Sequence, residues 1–184
     1  MGDFVTVEDL ATALRETVDN ATAEQAIADA ESAVRSYCRW GLTEETVTSQ
    51  VVEPTGGVIF LPTLHLTAVT AVESGSALTS GTGFAWYPNG TVKRLGAYWS
   101  PVYGAVVLTY THGYPAASPA LQPARTAARS YAIRQYQNAA QMRSETVGGV
   151  TDAYAIPTSG VPIGVDLSYS EQNLLAPLKL PVLA

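Results

Sequence analysis

Residues 105–136 read AVVLTYTHGYPAASPALQPARTAARSYAIRQY, and this stretch decides the fold class. Its first part is rich in valine, threonine and tyrosine, which favour a strand, and Gly113-Tyr114-Pro115 ends that strand. Its second part predicts a helix over about 119–143, because Pro119 or Pro123 suits a first helical turn. The residues that recur at helical spacing are Ala124, Ala128, Tyr131, Ala132, Gln135 and Tyr136. A strand that leads directly into a helix predicts an α+β protein.

The N-terminal segment predicts two amphipathic helices, over about 7–18 and 22–40. Thr6 suits the N-cap of the first helix, and Thr22-Ala-Glu-Gln25 has the pattern of a capping box for the second. Gly41 is expected to stop the second helix. The link between the two helices is short, so they are expected to form an antiparallel hairpin.

The segment 46–112 predicts a small antiparallel sheet inserted between the helices. Short runs rich in valine, threonine and aromatic residues are separated by turn residues. These runs are VTSQVVE, GVIFL, LTAVTAVES, FAWYP, TVKRL and AVVLTYTHG. Asn89-Gly90, between FAWY and TVKRL, predicts a two-residue hairpin turn.

Residues 144–184 predict an extended loop followed by a C-terminal arm. Glycines and prolines interrupt the loop, and a short helical segment, SEQNLLA, precedes the tail PLKLPVLA. This end is apolar for a chain terminus, so we expect it to dock on a partner, and the alternative is that it folds back on its own helices. The candidate partner-binding residues are Leu174, Leu175, Leu178, Leu180, Val182 and Leu183.

The composition excludes several classes of protein. The 184 residues carry a formal net charge of −6, and a normal apolar fraction of 47% excludes overall disorder. The single cysteine excludes an internal disulfide framework, and with only two histidines it excludes a Cys/His zinc site. The sequence contains no apolar run long enough to span a membrane and no secretion signal, so we expect the chain to be made in a cytoplasm.

The sequence contains no recognisable catalytic or cofactor-binding motif, so neither an enzyme nor a cofactor is expected. The nucleophile elbow, the P-loop, HExxH and GxGxxG patterns are all missing. His112, at the end of the strongest strand, is either a general base or a structural residue that binds a turn, and we prefer the structural interpretation. His65 is expected to be structural, and Cys38 is expected to be a small buried side chain.

Three arginines of the third predicted helix, Arg125, Arg129 and Arg134, have two interpretations. One is a DNA-binding stripe, because no acidic residue lies between Glu73 and Glu145. The other is pairing with the acidic first and second helices, in the same subunit or in a neighbour. We prefer the second interpretation, since the chain is acidic overall and lacks a groove-reading motif.

Several stretches, in their order and spacing, resemble the head–tail connector (adaptor) proteins of long-tailed double-stranded DNA phages. TVEDLATAL with AEQAIADAESAVRSYC resembles the N-terminal helical hairpin of that family. VVLTYTHGYPAASPALQPARTAARSYA resembles its strand, Gly-Tyr turn and proline-started helix, and RSETVGGVTDAYA with LSYSEQNLLAPLK resembles its C-terminal end. The resemblance covers the whole chain and implies a connector domain over 1–143, followed by the loop and docking arm over 144–184.

The resemblance also implies a function in the virion. Connector subunits form a twelve-copy ring in the phage neck that joins the portal protein to head-closure or tail proteins. DNA passes through the ring, and we expect no sequence-specific DNA binding, because a net charge of −6 for each copy repels phosphate. The alternatives are another neck ring, such as a head-closure or tail-completion protein, or a small hydrolase that uses His112.

Overall fold

The structure, a computed structural model, describes residues 4–51, 56–73, 75–102, 104–137, 144–147, 150–153 and 166–181. The chain divides into two compact units. The helical unit contains Met1–Cys38 and Pro119–Lys179, and the β unit contains Arg39–Ser118 and Leu180–Ala184. Helices and antiparallel sheets are both present, so the α+β class is confirmed.

Among its described residues, the helical unit contains four α-helices: α1 (Val7–Leu14), α2 (Asn20–Cys38), α3 (Gln122–Gln137) and α4 (Tyr169–Leu175). One 3₁₀ turn, Pro119–Leu121, leads into α3, and another, Ala176–Leu178, follows α4. Both expected proline positions are therefore used, because Pro119 opens the 3₁₀ turn and Pro123 lies in the first turn of α3. The end of the predicted third helix, 138–143, lies outside the described residues.

The first two helices differ from prediction at their ends. Thr6 is the N-cap of α1, as expected, but the helix stops at Leu14 because Arg15 adopts a left-handed conformation with φ +59°. The predicted capping box at Thr22 is wrong. Asp19 caps α2 instead, since its carboxylate accepts hydrogen bonds from the Thr22 backbone N–H at 2.9 Å and the Thr22 hydroxyl at 2.7 Å. The left-handed Arg39, φ +66°, follows the last residue of α2, so the stop comes before Gly41.

Small residues bring the helices of this unit together. α2 packs against α3, while α1 and α4 each pack against both. The buried alanines of α2 and α3 are Ala23, Ala26, Ala30, Ala124, Ala127, Ala128 and Ala132. Because alanine adds only a methyl group, the two helix backbones approach closely, and a larger side chain has no room at these positions.

The part of the β unit that the structure describes contains seven strands: β1 (Glu45–Val51), β2 (Val58–Phe60), β3 (Leu66–Glu73), β4 (Ser76–Leu78), β5 (Phe84–Trp86), β6 (Thr91–Arg94) and β7 (Val106–His112). They form two antiparallel sheets, with strand orders β1-β7-β3-β4 and β2-β6-β5. Every predicted run contains a strand, and β4 is additional. A further hairpin joins β8 (Ser144–Val147) to β9 (Val150–Ala153) in a segment predicted to be a loop.

The hairpin between β5 and β6 has a three-residue loop, Pro88–Gly90, instead of the predicted two-residue turn. The Gly90 backbone N–H donates to the carbonyl of Tyr87 at 3.1 Å, and Tyr87 pairs with Thr91. Only Gly90 has a positive φ, at +83°. Proline at position 88 favours a type I turn, after which glycine takes the left-handed position.

Large side chains fill the core of the β unit. Alternate residues of β7 point inward, from Val106 through Leu108 and Tyr110 to His112. Phe84, Val92 and Trp99 also belong to this core, together with Leu61 and residues of β2 and β3.

Candidate subunit and partner surfaces

Arg134 has a partner within its own subunit. Its guanidinium donates to both oxygens of Glu171, on α4, at 2.5 and 2.8 Å. The Glu171 carboxylate is buried and also accepts from the Ser168 backbone N–H at 2.8 Å, which completes a capping box for α4. Arg134 therefore anchors α4 on α3. The prediction from the sequence, pairing with the first or second helix, is wrong for this arginine within its own subunit.

Arg125 and Arg129 lie four residues apart on one face of α3, next to α1. Hydrogen bonds from the Thr6 backbone N–H and hydroxyl lower the pKa of Asp9, and the charges of Arg125 and Arg129 lower it further. Arg129 is nevertheless exposed to solvent. These two arginines and the carboxylate of Asp9 form a surface with excess positive charge, which we call the arginine face.

The six candidate docking residues of the C-terminal arm have different environments. Leu175 and Leu178 are buried, so they belong to the core of their own subunit and offer no surface to a partner. Leu174 is 44% exposed and Leu180 is partly exposed. Val182 and Leu183 lie outside the described residues. The predicted docking role is therefore wrong for Leu175 and Leu178, and the alternative, fold-back of the arm on its own helices, applies to this first half.

The solvent side of α4 is uncharged and partly apolar. Tyr169 is 80% exposed, and Ser170, Asn173 and Leu174 are exposed with it, while Glu171 and Leu175 point inward. We call these four residues the α4 surface. The apolar C-terminal sequence predicted Leu174 as a partner-binding residue but not Tyr169. Nothing in the local sequence distinguishes an exposed tyrosine from a buried one.

A cleft of about 550 Å³ lies on the helical unit, where α2, α3 and the start of α4 meet. Its lining includes Asp29, Ser32, Ser36, Tyr131, Gln135 and Asp166, which we call the α2–α4 cleft. Burial raises the pKa of the Tyr131 phenol, and the charges of Asp29 and Asp166 raise it further. The hydrogen bond from Gln135 and the charge of Arg134 oppose this increase. The carboxylates of Asp29 and Asp166 therefore both affect Tyr131 in this cleft, although 136 residues lie between them in the sequence.

The three-stranded sheet exposes aromatic side chains on its outer face. Phe60 pairs with Thr91 on β6, and Tyr87 is hydrogen-bonded to Thr91 from the other side, so these residues form one row. Phe60 is 62% exposed and Tyr87 is 51% exposed. Lys93 lies on the same face, two residues from Thr91.

His112 lies in the β-unit core beside Trp40 and Tyr110. Its Nε2 atom lies 3.1 Å from Oε1 of Glu45, the residue opposite it on β1. Burial lowers the pKa of His112, and the Glu45 carboxylate opposes that effect. Nδ1 has no hydrogen-bond partner among the described residues, so no hydroxyl or thiol there is placed for activation by this histidine.

The other two candidate reactive residues also have structural environments. His65 places Nδ1 3.0 Å from the Gly113 carbonyl, and its ring packs on Tyr114 at 4.3 Å between centroids. Burial raises the pKa of the Cys38 thiol to about 11, so it is protonated and unreactive at neutral pH. Within the part of the chain that the structure describes, no three His, Cys, Asp or Glu side chains cluster as metal ligands. No described helix has the length and apolar composition needed to cross a membrane.

Residues 3–166 match the family of head completion proteins. The chain belongs to this family. Membership confirms the resemblance to phage head–tail proteins and the expected place in the virion, and the family is a structural one. No curated protein sequence matches this head completion protein.

Two solved structures share the fold of this head completion protein. One is a chain described as the neck of an empty gene transfer agent (GTA) particle computed with C6 symmetry, with a TM-score of 0.59 and 19% identity. That alignment covers 100% of this chain and 93% of the GTA chain. The other comes from the virion of a native gene transfer agent particle, with a TM-score of 0.59, 17% identity, and coverage of 98% and 92%.

Proposed function

We propose that this head completion protein is a structural subunit of the neck of a tailed, phage-like particle. It forms a ring below the portal protein, receives the next head-closure or tail component, and lets DNA pass. The observation that carries this proposal is the family match, which spans nearly the whole chain. The fold shared with a GTA neck chain supports it.

The proposed ring contains twelve copies, the number implied by the resemblance to connector proteins. The neck of the GTA particle was computed with C6 symmetry, and a twelve-copy ring satisfies that symmetry. A ring of this kind needs two different surfaces on each subunit, because each copy contacts one neighbour on either side. The helical unit offers two such surfaces, the arginine face and the α2–α4 cleft.

The α4 surface is the proposed docking site for the portal protein. Its exposed tyrosine and leucine provide apolar area, and the absence of charge among its four residues removes the cost of desolvating an ion. The buried Leu175 and Leu178 hold this surface in place.

DNA in transit is not expected to bind tightly. A net charge of −6 for each copy repels phosphate, and the described arginines of α3 are close to Asp9 or Glu171. We therefore expect no sequence-specific DNA binding at physiological salt, which a footprinting assay measures directly.

Electron microscopy of the full chain, mixed with the portal protein of the same particle, tests this function. We expect rings attached to one end of the portal, and we expect Leu174→Asp to abolish attachment while circular dichroism stays unchanged. Val102→Asp is the matched control, because Val102 is exposed on the β unit. Rings that bind a head-closure or tail protein but never the portal indicate the alternative neck position. No ring with any of these partners contradicts the proposal.

A further inference from the structure

We infer that neighbouring subunits of the ring meet through Arg129 of one copy and the α2–α4 cleft of the next. This inference rests on the proposed function, because it specifies the contact that closes the ring. The occupant of the cleft is therefore a second copy of this chain, and the complementary charges of the two surfaces identify it.

The two surfaces lie on nearly opposite sides of one rigid helix. Each residue of an α-helix turns about 100°, so Arg129 and Tyr131 point about 200° apart. Arg125 shares the side of Arg129, toward α1, and Gln135 shares the side of Tyr131, which lines the cleft. Because both surfaces lie on α3, each copy presents the arginine face to one neighbour and the α2–α4 cleft to the other.

Opposite surfaces on one subunit produce a repeating contact. An arginine that enters the cleft of the next copy leaves its own cleft free for the arginine of the previous copy. Such a head-to-tail contact closes into a ring when the rotation between copies is a whole fraction of a turn. A two-fold contact would use the same surface on both copies and would stop at a dimer.

The lining of the cleft suits a guanidinium group. Asp29 and Asp166 supply exposed carboxylates, and Ser32 and Ser36 supply hydroxyl oxygens, so the cleft accepts several hydrogen bonds. Two cations are nearby. Lys179 has Nζ 4.2 Å from the ring centroid of Tyr37, which lines the cleft, and Arg134 lies over the ring of Tyr131, where its charge is balanced by Glu171. Two carboxylates and one ammonium group leave the cleft negatively charged.

The arginine face has the opposite sign. Asp9 is a carboxylate whose pKa is lowered by the charges of Arg125 and Arg129, and it already accepts two hydrogen bonds from Thr6. The sequence of α3, QPARTAARSYAIRQYQ, contains no acidic residue. The exposed Arg129 is therefore the cation best placed to reach a neighbouring copy.

A charge exchange tests the contact in rings of the full chain assembled on the portal. We expect Asp29→Arg and Arg129→Glu, made singly, each to lower the yield of rings by about tenfold or more, because each replaces attraction by repulsion. The double variant restores an attractive pair and is expected to restore the rings. Glu24→Lys is the control on α2, since Glu24 is exposed and does not line the cleft. Circular dichroism establishes that each variant is folded.

A crosslinking measurement tests the geometry separately. In the double variant Asp29→Cys/Arg129→Cys, a short bismaleimide is expected to link the rings into a ladder of oligomers, while either single variant yields none. The buried Cys38 adds little background. Single charge variants that form rings normally, or a double variant without a ladder in rings that assemble, overturn this contact and leave the proposed function intact. An unchanged chain that forms no ring overturns both.

Discussion

The helical unit and the β unit of this head completion protein use charge in different ways. The chain has 10 basic and 16 acidic residues. Only three of the basic and four of the acidic residues lie in the stretch Arg39–Ser118 of the β unit. A partly buried contact there, between Glu73 and Arg94 at 3.1 Å, resembles the Arg134–Glu171 pair of the helical unit. The remaining charges concentrate on the helical unit, which is therefore the better candidate for charge-selected contacts between copies.

The two units also differ in how they pack. The helical unit joins α2 to α3 through alanines, whereas the β unit encloses Phe84, Trp99 and Tyr110. A large apolar side chain contributes more free energy to folding than a methyl group, and its removal leaves a larger cavity. The β unit should therefore be sensitive to loss of volume, and the helical unit to gain of volume and to loss of its ion pair.

The largest expected effect is the removal of Phe84. The side chain is fully buried, so Phe84→Ala is expected to lower the free energy of unfolding by about 3–5 kcal/mol. The control is Phe60→Ala in the same sheet, where Phe60 is mostly exposed and the expected loss is below about 1 kcal/mol. Urea titration measures both values, and equal losses would contradict the inward and outward faces described for this sheet.

The next effect is the loss of the ion pair that anchors α4. Glu171→Ala leaves the Arg134 guanidinium and the Ser168 N–H without their acceptor. We expect a loss of about 2–3 kcal/mol, less than for a fully buried pair because Arg134 is partly exposed. Glu24→Ala, at an exposed position of α2, is the control. An unchanged urea midpoint for Glu171→Ala would show that α4 needs no such anchor.

Overpacking tests the alanine interface. Ala128→Leu introduces a large side chain where α3 is fully buried, and we expect a loss of about 1–3 kcal/mol. Ala28→Leu is the matched control on α2, because Ala28 is exposed. Thermal unfolding compares the two variants. If the two variants lower the midpoint of thermal unfolding equally, the buried alanines are not needed for close approach of α2 and α3.

Local sequence signals predicted much of this fold. Proline at the start of α3, Thr6 at the start of α1 and the period-two pattern of β7 each depend on residues within one element. Two predictions were wrong for equally local reasons. Asp19, and not Thr22, caps α2, and the β5–β6 loop contains Pro88 in addition to Asn89 and Gly90. Such local differences decide where an element begins but not whether it forms.

The contacts of the candidate surfaces were beyond sequence reasoning, because they join distant residues. Arg134 meets Glu171 across 37 positions, and the cleft brings Asp29 and Asp166 together only after α2, α3 and α4 have packed. The burial of Leu175 and Leu178 has the same origin. An apolar terminus predicts that some surface will cover it, but the sequence does not reveal whether that surface belongs to the same chain.

The smallest expected effect is a pH dependence of the β unit at His112. The unfolded chain binds a proton at this histidine near the ordinary pKa of 6.5, whereas burial lowers the pKa in the folded state. Between these two values the unfolded state holds more protons, so the free energy of unfolding falls as the pH is lowered from about 7 into that interval. The loss is complete once the pH lies below the folded pKa.

His112→Gln should remove this pH dependence, because glutamine does not titrate but still donates a hydrogen bond toward Glu45. Urea titrations from about pH 7.5 to about pH 5 measure it, a range that stays above the lowered pKa values of Asp9 and Asp19. His65→Gln is the control at the other histidine. A pH dependence that survives in His112→Gln and disappears in His65→Gln would transfer the effect to His65. An equal dependence in both variants and the unchanged chain would show that Glu45 compensates for the burial of His112, since a charged partner at 3.1 Å stabilises the protonated ring.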